Sequence, residues 1–443
     1  MTRPATDDTT GLAEAGRDRS PSLWRNRSFN LLWTGECLSD TGSAMAGLAL
    51  PLLVLQLTGS PTQAGLIGTA GLVVTTACRL PAGVLVDRYD RRRLMIGCDV
   101  LRLLVYAGLA AAVVAGTADL AMILAVVAVS SAATAIFSTA EFAAVPSLVR
   151  PDQIVGAVAR NEARSYGTSL AGPPLGGLLF GLGRTLPFLG NALSFLLSLV
   201  AVLFIRQPMQ QPRPAAAAAA AGSPGRAGLR FLLGNPFLRA LLVIAAPLNM
   251  AFTGMIFAMT VALRRSGMSP VLVGVVSTIF AVGGFLGAFA APALQRRLRL
   301  PTLVRTLCWS TAVLMAVSVL PTIGILTAVP VAAAVFLGPT ANAALFGYQA
   351  AITPDHLQGR VVSLILVAAT SAAALAPALA GLLLAHFSSR TALLAFPLLA
   401  TVAALVATLS KGIGSMSTQP TAPAQPEPTG PAGPAGPAGP AQP

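Results

Sequence analysis

Several charged side chains of this sequence lie inside long apolar stretches, where each must be balanced by a partner or by water. Glu36 and Asp40 are four residues apart, so a helix places both on one face. Arg79 falls at a similar depth in the following stretch. We expect one of the two acids to pair with Arg79 and the other to bind and release a proton. The alternative for each acid is a side chain that reaches polar surroundings at the end of its stretch.

A second pair of charged residues lies in the third apolar stretch. Asp99 and Arg102 are three residues apart, a spacing that brings two side chains together on a helix, and we predict a structural ion pair. Between residues 237 and 410 the sequence contains one acidic residue, Asp355. Chemistry that depends on a carboxylate inside an apolar stretch is therefore predicted to lie in the first half of the chain.

The elements that carry these residues are predicted from composition and from the length of the apolar stretches. The chain has 443 residues, of which 55% are hydrophobic and 10% are charged, and this composition places it in lipid. A helix of about 20 residues crosses the hydrocarbon of a bilayer. The predicted fold class is an all-α membrane protein with twelve transmembrane helices in two six-helix halves. The twelve stretches are 28–58, 63–87, 93–115, 119–142, 162–183, 186–206, 237–262, 271–294, 301–320, 323–347, 360–386 and 389–410.

The net charge of +14 comes from arginines that fall on alternate connections between the predicted helices. Clusters precede the first helix and follow the second, fourth, sixth and eighth, whereas the other connections hold few. Because basic residues concentrate in cytoplasmic connections, both termini are predicted to be cytoplasmic, in a bacterial cytoplasmic (inner) membrane. Membrane topology and contact with membrane lipid account for the net positive charge, so no nucleic-acid partner is expected. The first 21 residues lack the pattern of a cleaved signal peptide.

A weak internal repeat indicates the two halves. Residues 143–160 lead into a Gly/Pro-rich stretch, and residues 350–363 lead into a similar one. In transporters, repeats of this kind place the binding site between the copies. The predicted segments are a disordered N-terminus at 1–21, six-helix halves at 22–206 and 237–410, a linker at 207–236 and a disordered Pro/Ala/Gly tail at 411–443.

The connection after the second helix carries a specific motif. Its residues 83–93 resemble the signature loop between the second and third helices of the major facilitator superfamily. Together with residues 23–42, 48–61 and 355–363, this loop resembles the drug- and metabolite-exporting branch of that superfamily, which includes macrolide efflux proteins and siderophore exporters. Asp90 stands where that family usually has a glycine. Aspartate, like glycine, tolerates the backbone geometry of a left-handed turn. The positions that match are Gly83, Asp87, Arg88, Arg91 and Arg92.

This resemblance implies a gate on the cytoplasmic side. In the family, the carboxylate that corresponds to Asp87 caps the positive N-terminal end of the eleventh helix, here near Gly359 and Arg360, when the cytoplasmic side is closed. A contact that exists in one state only biases the equilibrium between states. The alternative for the neighbouring arginines is that they anchor the loop to anionic lipid.

The fifth predicted helix contains closely spaced small residues and proline, and it resembles the Gly/Pro motif associated with antiporters of the same superfamily. Small residues let two backbones approach closely and proline bends the helix, so we expect this helix to pack against the first or the eighth. Ordinary close packing with no bearing on the direction of transport is the alternative. The residues are Gly167, Gly172, Pro173, Gly176 and Gly177.

A substrate cavity between the halves would need polar and aromatic side chains from both of them. Trp33 on the first helix, Asn249 and Phe252 on the seventh and Asn342 on the tenth are the predicted lining residues. In membrane helices such side chains also serve as packing elements, which is the alternative for all four.

Other classes of function lack their motifs. The single lysine, Lys411, is not part of a phosphate-binding loop, so this chain holds no ATPase domain of that type. Four cysteines and two histidines show no metal-ligand or catalytic spacing, so we expect no enzyme activity, no metal and no cofactor. We predict a proton-coupled antiporter that exports an amphiphilic small organic molecule, a drug or a metabolite. The alternative is an uncoupled facilitator, or an importer of a small organic solute, on the same fold.

Overall fold

The computed structural model describes residues 23–210, 225–297, 299–320 and 324–414, and twelve long helices make up most of these ranges. The predicted all-α architecture is confirmed. The predicted disordered ends lie outside the described residues, apart from a short helix at Lys411–Gly414. The long helices are α1 Arg27–Thr58, α2 Pro61–Arg88, α3 Arg91–Ala115, α4 Leu120–Leu148, α5 Ile154–Leu182, α6 Leu186–Phe204, α7 Pro236–Arg265, α8 Pro270–Arg297, α9 Leu300–Val317, α10 Ala328–Ile352, α11 Asp355–His386 and α12 Ser389–Leu409.

Helix starts are fixed by side chains that cap free backbone N–H groups. The Asn26 side chain accepts a hydrogen bond from the Phe29 N–H at 3.0 Å, and Asp119 accepts one from Met122 at 2.7 Å. Asp90 caps α3 in the same way, at 2.9 Å from the Arg93 nitrogen, with an extended backbone at φ −61°. The aspartate at the family's usual glycine position is therefore an N-cap and not a left-handed turn residue.

Two helices are longer than the apolar stretches predict. α4 continues past residue 142 to Leu148, and α5 begins at Ile154 instead of residue 162. Eleven of the twelve long helices in the described ranges are long and apolar enough to cross a membrane on composition alone, and α5 is the exception. Its first turns carry charged residues, so hydropathy alone places its start too late. This extension brings Glu141 and Arg164 into the helical bundle.

Each half packs around its own set of helices. In the first half α1 contacts α5 and α6, α3 contacts α4 and α6, and α2 contacts α4. In the second half α7 contacts α11 and α12, α8 contacts α10, and α9 contacts both α10 and α12. A helix at Gly225–Gly234, within the predicted linker, packs against α7 and α11. Between the halves, the extensive contacts are α2 with α11 and α5 with α8.

The contacts between the halves concentrate on one side of the bundle. We call the side where α1 begins and α2 ends the terminal side, and the side where α1 ends the opposite side. Near the opposite side, a Cβ added to Gly65 would collide with the Pro377 carbonyl, and one added to Gly274 would lie 2.7 Å from the Pro173 oxygen. The Ala378 N–H donates to Thr69 Oγ1 at 2.9 Å. The halves are therefore closed against each other on the opposite side.

Candidate functional site

An arginine of α5 joins three helices through two acids. Arg164 Nη1 lies 2.8 Å from Glu141 Oε1 on α4, and Nη2 lies 3.2 Å from Oε2, which makes a bidentate pair. Arg164 Nε lies 3.2 Å from Asp40 Oδ2 on α1. The side chains of Arg164 and Glu141 are nearly buried, whereas 38% of the Asp40 side chain is exposed. Asp40 is therefore the most exposed member of this network.

The prediction that Arg79 pairs with one of the α1 acids is wrong. Arg79 is exposed on α2, and the arginine that pairs with Asp40 is Arg164. The sequence interpretation missed Glu141 and Arg164 because it placed the first at the end of one span and the second at the start of the next. The apolar run Phe-Ala-Ala-Val that follows Glu141 was the available signal, since it lets α4 continue past this acid.

A second charged centre lies on α3. Asp99 and Arg102 form the predicted ion pair, and both side chains are buried. The Arg102 guanidinium lies between two aromatic rings, 4.5 Å from the centroid of Phe137 and 4.4 Å from that of Phe195. Cation–π contacts on both faces stabilise the charge in an apolar setting. Ser198 Oγ on α6 donates a hydrogen bond to Asp99 Oδ2 at 2.9 Å.

Glu36 lies between these two centres and forms a salt bridge with neither arginine. It is 4% exposed, and its closest polar contact with a described side chain is Ser198 Oγ at 3.5 Å. Arg102 and Arg164 are both close enough to influence its charge. The cluster therefore holds four carboxylates and two guanidiniums, and Glu36 is the buried acid without an arginine of its own. Keeping such an acid neutral costs less than burying its charge unpaired.

A cavity of about 850 Å³ lies between the halves, next to this cluster. Of the described residues that line it, none is charged. Aromatic and aliphatic side chains form much of the wall, among them Phe195, Phe257 and Phe280. Ten hydroxyl groups also face it: Ser43, Thr75, Tyr106, Ser130, Ser131, Thr134, Ser169, Thr253, Thr260 and Ser277.

The four predicted lining residues do not line this cavity. Trp33 Nε1 donates to the Arg160 carbonyl at 3.1 Å, and its ring lies 5.0 Å from the Arg160 guanidinium. Asn249 donates to the Ala245 carbonyl of its own helix at 2.8 Å, and Asn342 is exposed on α10. Phe252 packs against the hydrophobic core. The face of α7 that lines the cavity starts one residue after Phe252 and follows helical spacing. Its residues are Thr253, Ile256, Phe257 and Thr260.

The motif loop between α2 and α3 binds helix ends. Arg91 Nη1 donates to the carbonyls of Ala143, at 2.7 Å, and Met209, at 3.0 Å. Arg92 Nη2 donates to the Leu203 carbonyl in the last turn of α6 at 2.6 Å, so both arginines bind backbone carbonyls on the terminal side of the bundle. The two arginines therefore contact protein backbone, whereas the alternative interpretation had them anchor the loop to anionic lipid.

The predicted gate stays a prediction. Gly83 has open space around it, and Asp87 and Arg88 are exposed at the end of α2. Gly359 and Arg360 belong to the first turns of α11, but their side-chain surroundings lie outside the described part of the chain.

The Gly/Pro stretch of α5 packs on two neighbours at once. A Cβ added to Gly172 would collide with Ala44 of α1, and one added to Gly176 would lie 2.7 Å from the Met45 oxygen. On the other face, a Cβ added to Gly177 would collide with the Pro270 carbonyl at the start of α8. Gly167 has open space around it. The stretch therefore contacts both helices that the sequence offers as alternatives.

The described ranges contain twelve long helices in two halves, eleven of them apolar enough to cross a membrane, with a cavity between the halves and a charged cluster beside it. This arrangement is that of a membrane transporter. The chain belongs to the Major Facilitator Superfamily, whose family model matches residues 32–344. The predicted family is thereby confirmed, and the chain is a transporter of small molecules.

Relatives with assigned functions are efflux proteins. The multidrug efflux pump Tap of Mycobacterium tuberculosis is 29% identical over 376 residues, which cover 81% of this chain and 87% of that protein. Macrolide efflux protein A of Streptococcus pyogenes is 25% identical over 183 residues, covering 41% and 45%.

Solved structures share the fold at low identity. A bacterial homologue of the human lysosomal transporter Spinster has a TM-score of 0.70 at 16% identity, over 88% of this chain and 98% of that one. A bacterial homologue of the iron transporter ferroportin has a TM-score of 0.64 at 17% identity, over 88% and 98%.

Proposed function

We propose that this protein is a proton-coupled antiporter that exports an amphiphilic small organic molecule. The observation that carries this proposal is Glu36, a buried acid without an arginine of its own, beside a cavity large enough for a drug-sized ligand. An acid in that position gains or loses a proton at a cost that depends on the state of its surroundings. A passive facilitator has no need of such a group.

Asp40 and Glu36 have different roles in this mechanism. Asp40 holds Arg164 and is partly exposed, so it connects the cluster to water. Glu36 lies one turn away on the same face of α1, fully inside the cluster, and stores the proton. When the cavity faces the outside Glu36 takes up a proton, and when the cavity faces the cytoplasm it releases that proton along the Asp40 side.

The way the halves meet supports alternating access as the mechanism. The arginine distribution favours a cytoplasmic terminal side, with both termini in the cytoplasm of a bacterial inner membrane. The seam near Gly65 and Gly274 then closes the external side in the described state. Rocking of the halves about the cavity opens this seam and closes the cytoplasmic side. Inward movement of protons drives outward movement of substrate.

The cavity wall favours a neutral substrate with several hydrogen-bonding groups. Ten lining residues carry hydroxyls, and the wall between them is apolar. Four of the ten, Thr75, Ser130, Thr260 and Ser277, donate to carbonyls of their own helices and can therefore only accept from a ligand. A cationic substrate would have to reach Asp40, which does not belong to the described lining residues. We therefore place neutral amphiphiles ahead of cations.

The test is dye transport in inverted membrane vesicles that contain the full-length protein. Nile red serves as a neutral probe, the proton gradient is imposed by respiration, and a protonophore collapses it. We expect E36Q and D40N to abolish gradient-driven accumulation, while E162Q, which changes an exposed acid of α5, leaves it intact. Accumulation that survives in E36Q and in the presence of protonophore identifies an uncoupled facilitator and refutes the proposal.

A further inference from the structure

A buried serine of α6 bridges the two acids that belong to different helices. Ser198 Oγ lies 2.9 Å from Asp99 Oδ2 on α3 and 3.5 Å from Glu36 Oε1 on α1, and Ser198 is fully buried. A hydroxyl has one proton to donate, and Asp99, which is paired with Arg102 and lies closer to Ser198, is the better acceptor. Ser198 Oγ can then only accept from Glu36. When Glu36 carries the proton, Glu36, Ser198 and Asp99 therefore each have a hydrogen-bond partner.

The same centre touches the cavity through one aromatic side chain. The Arg102 guanidinium lies 4.4 Å from the centroid of the Phe195 ring, and Phe195 lines the cavity. Phe195 also contacts Tyr106, another lining residue, with ring centroids 5.8 Å apart. An unbroken set of contacts therefore leads from Glu36 through Ser198, Asp99 and Arg102 to the substrate.

We propose that Ser198 is the positioning residue that couples the protonation of Glu36 to the substrate cavity, by way of the Asp99–Arg102 pair and Phe195. This inference rests on the proposed proton coupling at Glu36. It assigns the coupling to α3 and α6, whereas the Asp40–Arg164–Glu141 network serves proton access and joins α1, α4 and α5.

Loss of the proton from Glu36 leaves two carboxylates and one hydroxyl proton. The charged Glu36, which has no arginine of its own, then competes with Asp99 for that proton. When Asp99 loses its hydrogen bond from Ser198, the position of its partner Arg102 between the two rings changes. The charged groups around Glu36 set the outcome of this competition: Asp40 on α1, Asp99 and Arg102 on α3, Glu141 on α4 and Arg164 on α5.

The experiment measures the affinity of the full-length protein for Nile red in lipid nanodiscs, from mildly acidic to mildly alkaline pH. If one proton is linked to substrate binding, the Kd of the unmodified protein changes about fivefold or more over this range. We expect Ser198→Ala to reduce the change to less than about twofold while the Kd at alkaline pH stays within about threefold. The pH profile is informative because a purely structural loss would shift the Kd equally at every pH.

Ser194→Ala is the matched control, because Ser194 lies one turn away on α6 and donates to the Asn191 carbonyl at 2.7 Å instead of a carboxylate. This variant is expected to keep the full pH dependence. An unchanged profile in Ser198→Ala overturns the role of Ser198 alone. A flat profile, or no binding, in the unmodified protein overturns the proposed proton-coupled transport of neutral amphiphiles, and the inference with it.

A second measurement covers the case in which Ser198→Ala unfolds. The infrared band of a protonated carboxylic acid, assigned to Glu36 by its loss in Glu36→Gln, is expected to shift when Nile red binds to the unmodified protein. Phe195→Leu keeps an apolar side chain at the cavity but removes the ring that contacts Arg102. We expect this variant to lose the ligand-induced shift, and a shift of the same size in it would overturn the proposed pathway.

Discussion

Arg164 Nη1 lies 2.8 Å from Glu141 Oε1, and this pair joins two helices whose connection lies on the terminal side of the bundle. The same guanidinium contacts Asp40 on α1, so one cation holds three helices together beside the cavity. Because the pair is buried and bidentate, its loss leaves a charge that lipid and protein cannot solvate.

The first prediction concerns this pair. Glu141→Ala is expected to lower the free energy of unfolding by about 3–5 kcal/mol, because Arg164 is left buried with only the partly exposed Asp40. Asp40→Ala should cost less, since Asp40 is more accessible to water. Thermal unfolding in detergent measures both, with Glu162→Ala as the control. Equal melting temperatures for Glu141→Ala and the unmodified protein would contradict the prediction.

The second prediction is that lysine cannot replace Arg164. An ammonium group keeps the charge but cannot form the two parallel hydrogen bonds to Glu141. We expect Arg164→Lys to slow gradient-driven Nile red transport about tenfold or more, from the loss of a charge-assisted hydrogen bond. Arg79→Lys, on the exposed surface of α2, should transport at the normal rate. If both variants behave alike, the assignment of the pairing arginine fails.

The third prediction concerns the seam between the halves. A methyl group at Gly65 or Gly177 would collide with the carbonyl of Pro377 or Pro270. Overpacking of this kind costs about 1–3 kcal/mol, so Gly65→Ala should shift the population away from the described state about fivefold or more. Reaction of a cysteine introduced near Thr62 with an impermeant reagent reports the opening of that side. Gly97→Ala, where a Cβ meets open space, is the control and should leave the labelling rate unchanged.

The fourth prediction separates two neighbouring phenylalanines of α7. Both side chains pack against the core, and of the two Phe257 also lines the cavity. We expect Phe257→Ala to raise the Kd for Nile red about tenfold, the size typical of a central aromatic contact. Phe252→Ala should lower the melting temperature instead and leave the Kd nearly unchanged. Reversed effects would place the binding site elsewhere on α7.

The sequence by itself determined the class of this protein. Apolar stretches long enough to span a bilayer, separated by arginine-rich connections, dictate twelve helices, because the backbone in lipid must satisfy its hydrogen bonds within each segment. The motif around Gly83 and Asp87 identified the superfamily. Glu36, Asp40, Asp99 and Arg102 stood out because charge inside an apolar stretch has to be compensated.

Only the tertiary structure decided which charges meet. Glu141 and Arg164 are 23 residues apart on different helices, and their pairing depends on how α4 and α5 extend beyond their apolar parts. The residues that line the cavity could not be predicted either. Turning α7 about its axis by the angle of one residue decides whether Phe252 or Phe257 faces the cavity. Hydropathy measures transfer into lipid and carries no information about helix rotation or partner choice. Those are set by the packing of small residues such as Gly172 and Gly177 against neighbouring helices.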